Sequence, residues 1–466
     1  MIFLGRFLTN RVIRPAVEKC LYGRAIRPLE AILRERETWE PAYLRQWQVS
    51  QLRPFLQHCY DNVPFYRRRF DEVGFRPSKF EDLSQLAAIP PLTKADIRAH
   101  ADDLFARGFG PRGLRVGRTG GSTGEPTLFY QSNEETAWAR ATVRRFWGMA
   151  GIVQGDRRVC LGGRNYTPTW RTRVYPNYFK MVENYYTFPS AFLSTAILDD
   201  YIRQIQRLRP RALGGYPSSV SLLAARLIET AQRIPSVEVV WGSSEVMTDL
   251  HRARIRQGFG VEPFDAYGGG DTPVATECQV HQGLHLFQSS RLIEVADEQG
   301  NTVGPGGSGR VLVTTFYNWA WPYVRYDMGD VVERGTFGDC PCGCRLERIA
   351  QVQGRTGDYL VTPDGRFATP PNLTLVFVSI ADKVRAFQAV QHDRSEMEMR
   401  VVVTPEWSKE TEAYVIRSLR SFLGDEIRIH VRLVDDVEIT PVGKRRVMVS
   451  TVPDGLFVPT STPAPK

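Results

Sequence analysis

Arg118-Thr119-Gly120-Gly121-Ser122-Thr123-Gly124-Glu125-Pro126-Thr127 packs three glycines and four hydroxyl residues into ten positions. Glycine lets a backbone take positive φ and come close to a ligand. Successive exposed N–H groups then form a nest for an anion, and the Ser and Thr hydroxyls add donors. The spacing is not GxxxxGK[ST], so this is not the usual nucleoside-triphosphatase loop. Taken alone, the stretch also suits an ordinary surface turn. Its meaning depends on what surrounds it.

Around the stretch, short apolar runs alternate with amphipathic ones. Thr127–Tyr130 reads as a strand, and residues 133–150 as a helix capped by Asn133 with Glu134 and Glu135 in the first turn, where acids suit the helix dipole. From 156 to 250 the alternation continues: strands at 158–161, 212–216 and 237–241, helices at 199–208 and 218–230. Such repetition predicts an α/β layer with ligands at the strand ends. Residues 291–296, 309–315 and 330–334 read as antiparallel strands, and residues 1–75 as helical, broken at Asn62-Val63-Pro64. After Gly354 the character changes to strands at 386–391, 398–404 and 427–434 around a helix at 408–423, a small α+β lid. The organisation expected is therefore a large α/β domain with a β-rich subdomain over 1–353, a small mobile domain over 354–458, and a disordered Pro/Ser/Thr-rich tail over 459–466.

The 466 residues carry a net charge of +9, with 42% hydrophobic and 24% charged residues, values of an ordinary globular protein. No run reaches the ~20 apolar residues of a membrane span, and Arg6, Arg11 and Arg14 interrupt the N-terminus where a secretory signal would be apolar. A cytoplasmic location is expected. Residues 1–29 hold six Lys/Arg against Glu18 alone, which allows at most peripheral contact with an anionic membrane surface. No basic stripe with interleaved aromatics supports nucleic-acid binding. Of seven cysteines, Cys340, Cys342 and Cys344 alternate within five positions. In a cytosolic protein such clustering points to metal rather than disulfides.

Three stations follow the glycine-rich stretch. Ala266-Tyr267-Gly268-Gly269-Gly270-Asp271 ends a strand with a carboxylate that suits Mg²⁺ beside phosphates. Arg325-Tyr326-Asp327-Met328-Gly329-Asp330 offers carboxylates that accept hydrogen bonds from ribose hydroxyls. Pro441-Val442-Gly443-Lys444 puts a lysine, a compact point charge for carboxylate and phosphate, on a tight loop.

In this order the four stations resemble the adenylate-forming (AMP-producing) ligase superfamily, and within it the phenylacetate–coenzyme A ligase-like family with its capsule-biosynthesis relatives. The resemblance spans nearly the whole chain and extends to NVPFYRRRF (62–70), GGYPSS (214–219) and ECQVHQGLH (277–285). It implies an ATP-dependent acid–thiol ligase acting through an acyl-adenylate. Thr119, Gly120, Gly121, Ser122, Thr123 and Gly124 would hold the β- and γ-phosphates. Tyr267 and Gly268 would follow the adenine, and Asp330 would take the ribose. Arg355 would serve the nucleotide from the GRTGD hinge at 354–358, Asp271 would hold Mg²⁺, and Lys444 would catalyse adenylation. Coenzyme A would be the acceptor and a small carboxylic acid the substrate, with Tyr166, Tyr216, Trp241 and Gly242 lining an aromatic-walled pocket for an aryl or arylacetic acid. A structural Zn²⁺ would sit on Cys278, His285, Cys340 and Cys342, with His281 and Cys344 as competing ligands. A homodimer is compatible with the family. The chain departs from the superfamily pattern at Thr127, where lysine is common, and at Asp271 with Gly270, where glutamate follows Ser or Thr. Two alternatives stand beside this reading: an amide-forming transferase that uses the same adenylate, and a non-catalytic nucleotide-binding protein.

Overall fold

The structure is a computed structural model that describes residues 12–118, 128–162, 182–190, 193, 195–268, 273–336, 338–355, 360–361, 363, 367–368, 373, 376–377, 380, 383–438 and 446–452. These residues separate into two compact units, one built from most of 12–352 and the other from most of 353–452.

The first unit opens with helices α1 (Arg14–Tyr22), α2 (Arg27–Arg36), α3 (Pro41–Asn62) and α4 (Pro64–Glu72). Each has proline within its first two positions, where no backbone N–H is needed and the fixed φ favours entry into the helix. Helix α5 (Lys94–Ala99) starts at Thr93, whose side chain and that of Asp96 form a reciprocal capping box. Strands β1 (Arg115–Arg118) and β2 (Leu128–Gln131) pair antiparallel, Arg118 opposite Leu128. Thus the glycine-rich residues 119–127, which lie outside the described set, are flanked by two paired strands.

Helix α6 (Asn133–Met149) is buried along both faces. Ala137, Trp138 and Ala141 meet Tyr22, Ile26, Leu29 and Leu33 of the N-terminal helices, while Phe146 and Met149 face the sheet. Its cap is Ser132, whose Oγ accepts the Glu135 N–H at 3.1 Å, rather than the Asn133 that the sequence suggests. Asn133 lies one residue too far along, already inside the helix.

Strands β3 (Arg158–Leu161), β4 (Tyr185–Phe188), β5 (Ala212–Gly215), β6 (Val239–Ser243) and β7 (Pro263–Gly268) run parallel. Helices α7 (Thr195–Leu208), α8 (Pro217–Glu229) and α9 (Asp249–Phe259) connect the later strands. The strands are apolar on both faces because both are covered. Val239 and Trp241 pack with α6, whereas Val240, Val159 and Leu213 pack with Ile202, Leu223 and Ile255. Antiparallel strands β8 (Pro273–Glu277), β9 (Leu284–Leu286), β10 (Arg291–Ala296), β11 (Ser308–Thr315) and β12 (Tyr326–Arg334), with β13 (Arg348–Arg355), extend this into one eleven-stranded sheet. Its order is β10-β11-β12-β13-β9-β8-β7-β6-β5-β3-β4. The β-rich part expected from the sequence is therefore continuous with the parallel layer.

In the second unit β14 (Leu360–Val361) pairs with β15 (Phe367–Ala368). Strands β16 (Val384–Asp393), β17 (Glu396–Val403), β18 (Arg428–Leu433) and β19 (Met448–Ser450) form a mixed sheet in the order β18-β17-β16-β19. Helix α10 (Lys409–Leu423) brings Val415, Leu419 and Leu423 onto Met397, Met399 and Val401. Phe377 stacks on Phe387 with centroids 4.0 Å apart. This is the small C-terminal α+β unit that the sequence predicts.

Candidate active site

A doubly covered parallel sheet binds ligands beyond the carboxyl ends of its strands. Here those ends carry Gly162 after β3, Tyr216 after β5, Ser243 on β6, and Tyr267-Gly268 on β7, neighbours through the strand register. The glycines nearby are required by packing. Gly215 has φ +139°, and a Cβ there would fall on the Leu161 carbonyl oxygen. A Cβ on Gly214 would enter the Trp241 ring, and one on Gly242 would meet Met247 and Pro217. Trp241 is itself only 4% exposed. Trp241 and Gly242, expected as pocket lining, thus have packing roles at the base of the rim. Tyr216 is half-buried on the rim, its ring 3.7 Å from where a Gly162 Cβ would lie.

Two rim elements are bulged. Between β7 and β8 the register shifts at Tyr267/Gly268, with Gly268 at φ +100°. Between β11 and β12, Arg310 pairs with Val331 but Leu312 with Asp327. Two steps on one strand therefore span four on the other, and Met328-Gly329-Asp330 bulges, with Gly329 at φ +76°. Bulges re-aim side chains beside functional sites. This one separates the two carboxylates of the motif. Asp327 accepts from Arg310 Nη1 and from the Gly329 N–H, both at 2.8 Å. Asp330 instead accepts from the Tyr267 hydroxyl at 2.8 Å. The residues expected at adenine and ribose are brought together across the sheet.

Arg325 anchors the start of this bulged strand. It is fully buried, takes φ +52°, and donates to the carbonyls of Leu86, Ile89 and Gly300 while pairing with Glu294. Sequence reasoning missed this role, and its partners lie 25 to 239 residues away. It also missed Glu245, which accepts the Ser218 N–H at 3.0 Å in the first turn of α8, whereas Ser243, expected with Trp241 and Gly242 as pocket lining, donates its Oγ–H to the Gly268 carbonyl at 3.1 Å. Thr119–Gly124, Thr127, Tyr166, Asp271 and Lys444 lie outside the described residues, as do residues 356–358 of the expected hinge. Arg355 ends β13, with its side chain outside the described set.

At the other end of β8, Cys278, His285, Cys340 and Cys342 converge, one ligand atom of each lying within 4.8 Å of all the others. The Sγ atoms of Cys278 and Cys340 are 3.7 Å apart, and Cys342 Sγ is 3.5 Å from His285 Nε2. Zn–S bonds of about 2.3 Å and Zn–N bonds of about 2.0–2.1 Å at the tetrahedral angle require edges of about 3.8 and 3.5 Å, so the donor set fits Zn²⁺. Burial, with Arg348 nearby, lowers His285 to about 4 against the pull of its backbone bond, leaving the imidazole neutral as a ligand must be. Its Nδ1 lies 3.3 Å from the Leu346 carbonyl oxygen, the outer bond that orients a metal-binding histidine. The competing residues are employed elsewhere: His281 pairs with Glu277 at 3.1 Å, and Cys344 is buried beside Leu346 in the apolar core.

Comparison with known proteins gives the same frame. Residues 360–451 match the CapK C-terminal domain family. The chain is 24% identical to Protein CapK of Staphylococcus aureus over 88% of its own length and 90% of that protein. It is 27% identical to the phenylacetate–coenzyme A ligase of Thermus thermophilus, covering 88% and 95%. Among solved structures, 2-hydroxyisobutyryl-CoA ligase in its postadenylation state with 2-HIB-AMP superposes with a TM-score of 0.74 at 22% identity, covering 91% and 92%. The fold is thus that of adenylate-forming CoA ligases.

Proposed function

We propose that this chain, a member of the phenylacetate–coenzyme A ligase-like adenylate-forming family, is an ATP-dependent, AMP-forming acid–coenzyme A ligase. The observation that carries the reading is the Tyr267–Asp330 pair at the carboxyl edge of the sheet, in a chain that matches phenylacetate–coenzyme A ligases over nearly its full length.

In the first step a carboxylate oxygen of the acid attacks the α-phosphorus of ATP. A P–O bond forms, the bond to the β-phosphate oxygen breaks, and pyrophosphate leaves an acyl-adenylate. Asp330 takes the ribose hydroxyls, oriented by Tyr267. The 119–124 stretch takes the β- and γ-phosphates, and Lys444 supplies positive charge to the carboxylate and α-phosphate. Mg²⁺, on Asp271, would neutralise charge on the departing pyrophosphate. Asp271 would hold it with a carboxylate one methylene shorter than the common glutamate. In the second step the coenzyme A thiolate attacks the acyl carbonyl carbon, and AMP leaves with the electron pair of the C–O bond.

An aryl or arylacetic acid is the proposed substrate class, supported by Tyr216 on the rim and by the relatives' names. Zinc on Cys278, His285, Cys340 and Cys342 would tie the β8–β9 turn to the turn before β13, with no open position for chemistry. A cytoplasmic location belongs to the same reading, supported by seven cysteines outside any disulfide; no helix among the described residues is long and apolar enough to cross a membrane. The acceptor is tested by AMP release with the preferred acid. Dependence on coenzyme A is expected, and dependence on an amine instead would replace the thiol ligase with an amide-forming enzyme.

A further inference from the structure

We propose that a cavity at the amino edge of the parallel strands is a second ligand site, taking a compact oxyanion-bearing metabolite. It has a volume of about 1120 Å³ and lies between α2, the end of α6, residues 151–154 and the first residue of β3. That is room for a small organic anion. The candidate active site lies off the opposite end of β3, about 10 Å away along a four-residue strand.

Five arginines line the cavity: Arg27, Arg34, Arg144, Arg145 and Arg158. Their partners do not fully match them. Arg145 is held by both carboxylate oxygens of Glu37, at 2.6 and 2.9 Å. Arg144 donates through Nη2 to Glu18 and Glu183. Among the described residues its Nη1 has no hydrogen-bond acceptor, and Glu30 lies 3.7 Å from it. Arg158 is 2% exposed. Its Nη2 donates to the Glu183 carbonyl and carboxylate, its Nε has no acceptor among the described residues, and its guanidinium lies 3.8 Å over the Trp147 ring. Charged N–H groups out of water without acceptors are rare, and each calls for an explanation. Burial pushes the Glu30 carboxyl up, against the pull of Arg144 and Arg145. The lining thus carries five arginines against three carboxylates, Glu30, Glu35 and Glu183, and faces the concave space with a net positive charge. On the rim Arg27 and Arg34 stand exposed seven residues apart, on one face of α2. Guanidinium pairs of this kind hold phosphate or carboxylate in two-point fashion.

The test uses the full chain with AMP saturating the nucleotide site. Thermal melting is followed against inorganic phosphate and, separately, against succinate, with chloride at matched ionic strength as the control. The wild type is expected to show a saturable rise in melting temperature with at least one anion. Response to phosphate alone assigns a phosphorylated ligand, and response to succinate alone a carboxylate. The Arg27→Gln/Arg34→Gln double variant and, independently, Ala31→Phe, which fills the cavity from the exposed face of α2, should raise the midpoint at least fivefold. Both should keep the wild-type melting temperature and ATP–pyrophosphate exchange in the absence of anion. No saturable rise with either anion, or midpoints unchanged in both variants, overturns the site.

Discussion

At the scale of single residues, the account rests on one hydroxyl and one glycine. The Tyr267 hydroxyl is the donor that orients the Asp330 carboxylate. A hydrogen bond to a charged acceptor contributes about 1.5–3 kcal/mol. Tyr267→Phe should therefore raise the KM for ATP by roughly tenfold in ATP–pyrophosphate exchange while leaving the melting temperature within a degree or two. An unchanged KM would remove Tyr267 from the nucleotide site. Gly215 has no tolerance for a side chain, because its φ of +139° and the Leu161 carbonyl both oppose a Cβ. Gly215→Ala should cost about 2–5 kcal/mol, read as a large fall in the urea midpoint. The sequence distinguishes neither Asp330 from Asp327 nor Ser132 from Asn133 on residue type alone. A two-residue bulge and the reach of Arg310 decide the first, and a one-residue offset in the helix start decides the second.

At the scale of elements, β7, β8 and β9 join the two sites. The candidate rim lies at one end of β8 and the thiol–imidazole cluster at the other. The fourfold ligand set was legible in the sequence because Cys340-Pro341-Cys342 and the Cys278…His285 spacing are uncommon. What excludes His281 and Cys344 was not legible, since it depends on Glu277 and on the buried side of a turn. Metal analysis of the purified protein should give about one equivalent of zinc. Cys340→Ser should lose it and lower the melting temperature, because structural zinc binding is linked to folding. Wild-type protein that is folded and metal-free would refute the site. Alternation of buried strands and amphipathic helices was legible because both sheet faces are covered, which makes the short strands mostly apolar. The central position of α6, between the N-terminal helices and the sheet, needed the structure.

At the scale of the whole molecule, electrostatics tie segments far apart in sequence, and no local pattern announces them. Burial alone would raise Glu183, but Arg144, Arg14, Arg158 and Arg140 together hold it at about 2. A carboxylate depressed from its ordinary 4.5 contributes stability that is present above pH 4.5 and is lost as pH falls toward 2. The melting temperature should hold from pH 8 to 5 and drop below 4.5. Glu183→Gln should start lower and show a shallower drop, and parallel profiles would contradict this role. The order of the four motifs along the chain, from residue 118 to residue 444, was the most legible feature at this scale. The central claim is that those segments make one adenylating centre. Its most direct test is ATP–pyrophosphate exchange across a panel of carboxylic acids, with wild type and Lys444→Ala side by side. Exchange that requires a particular acid and falls at least a hundredfold in Lys444→Ala is the predicted result. No exchange with any acid, or exchange indifferent to Lys444, would contradict it.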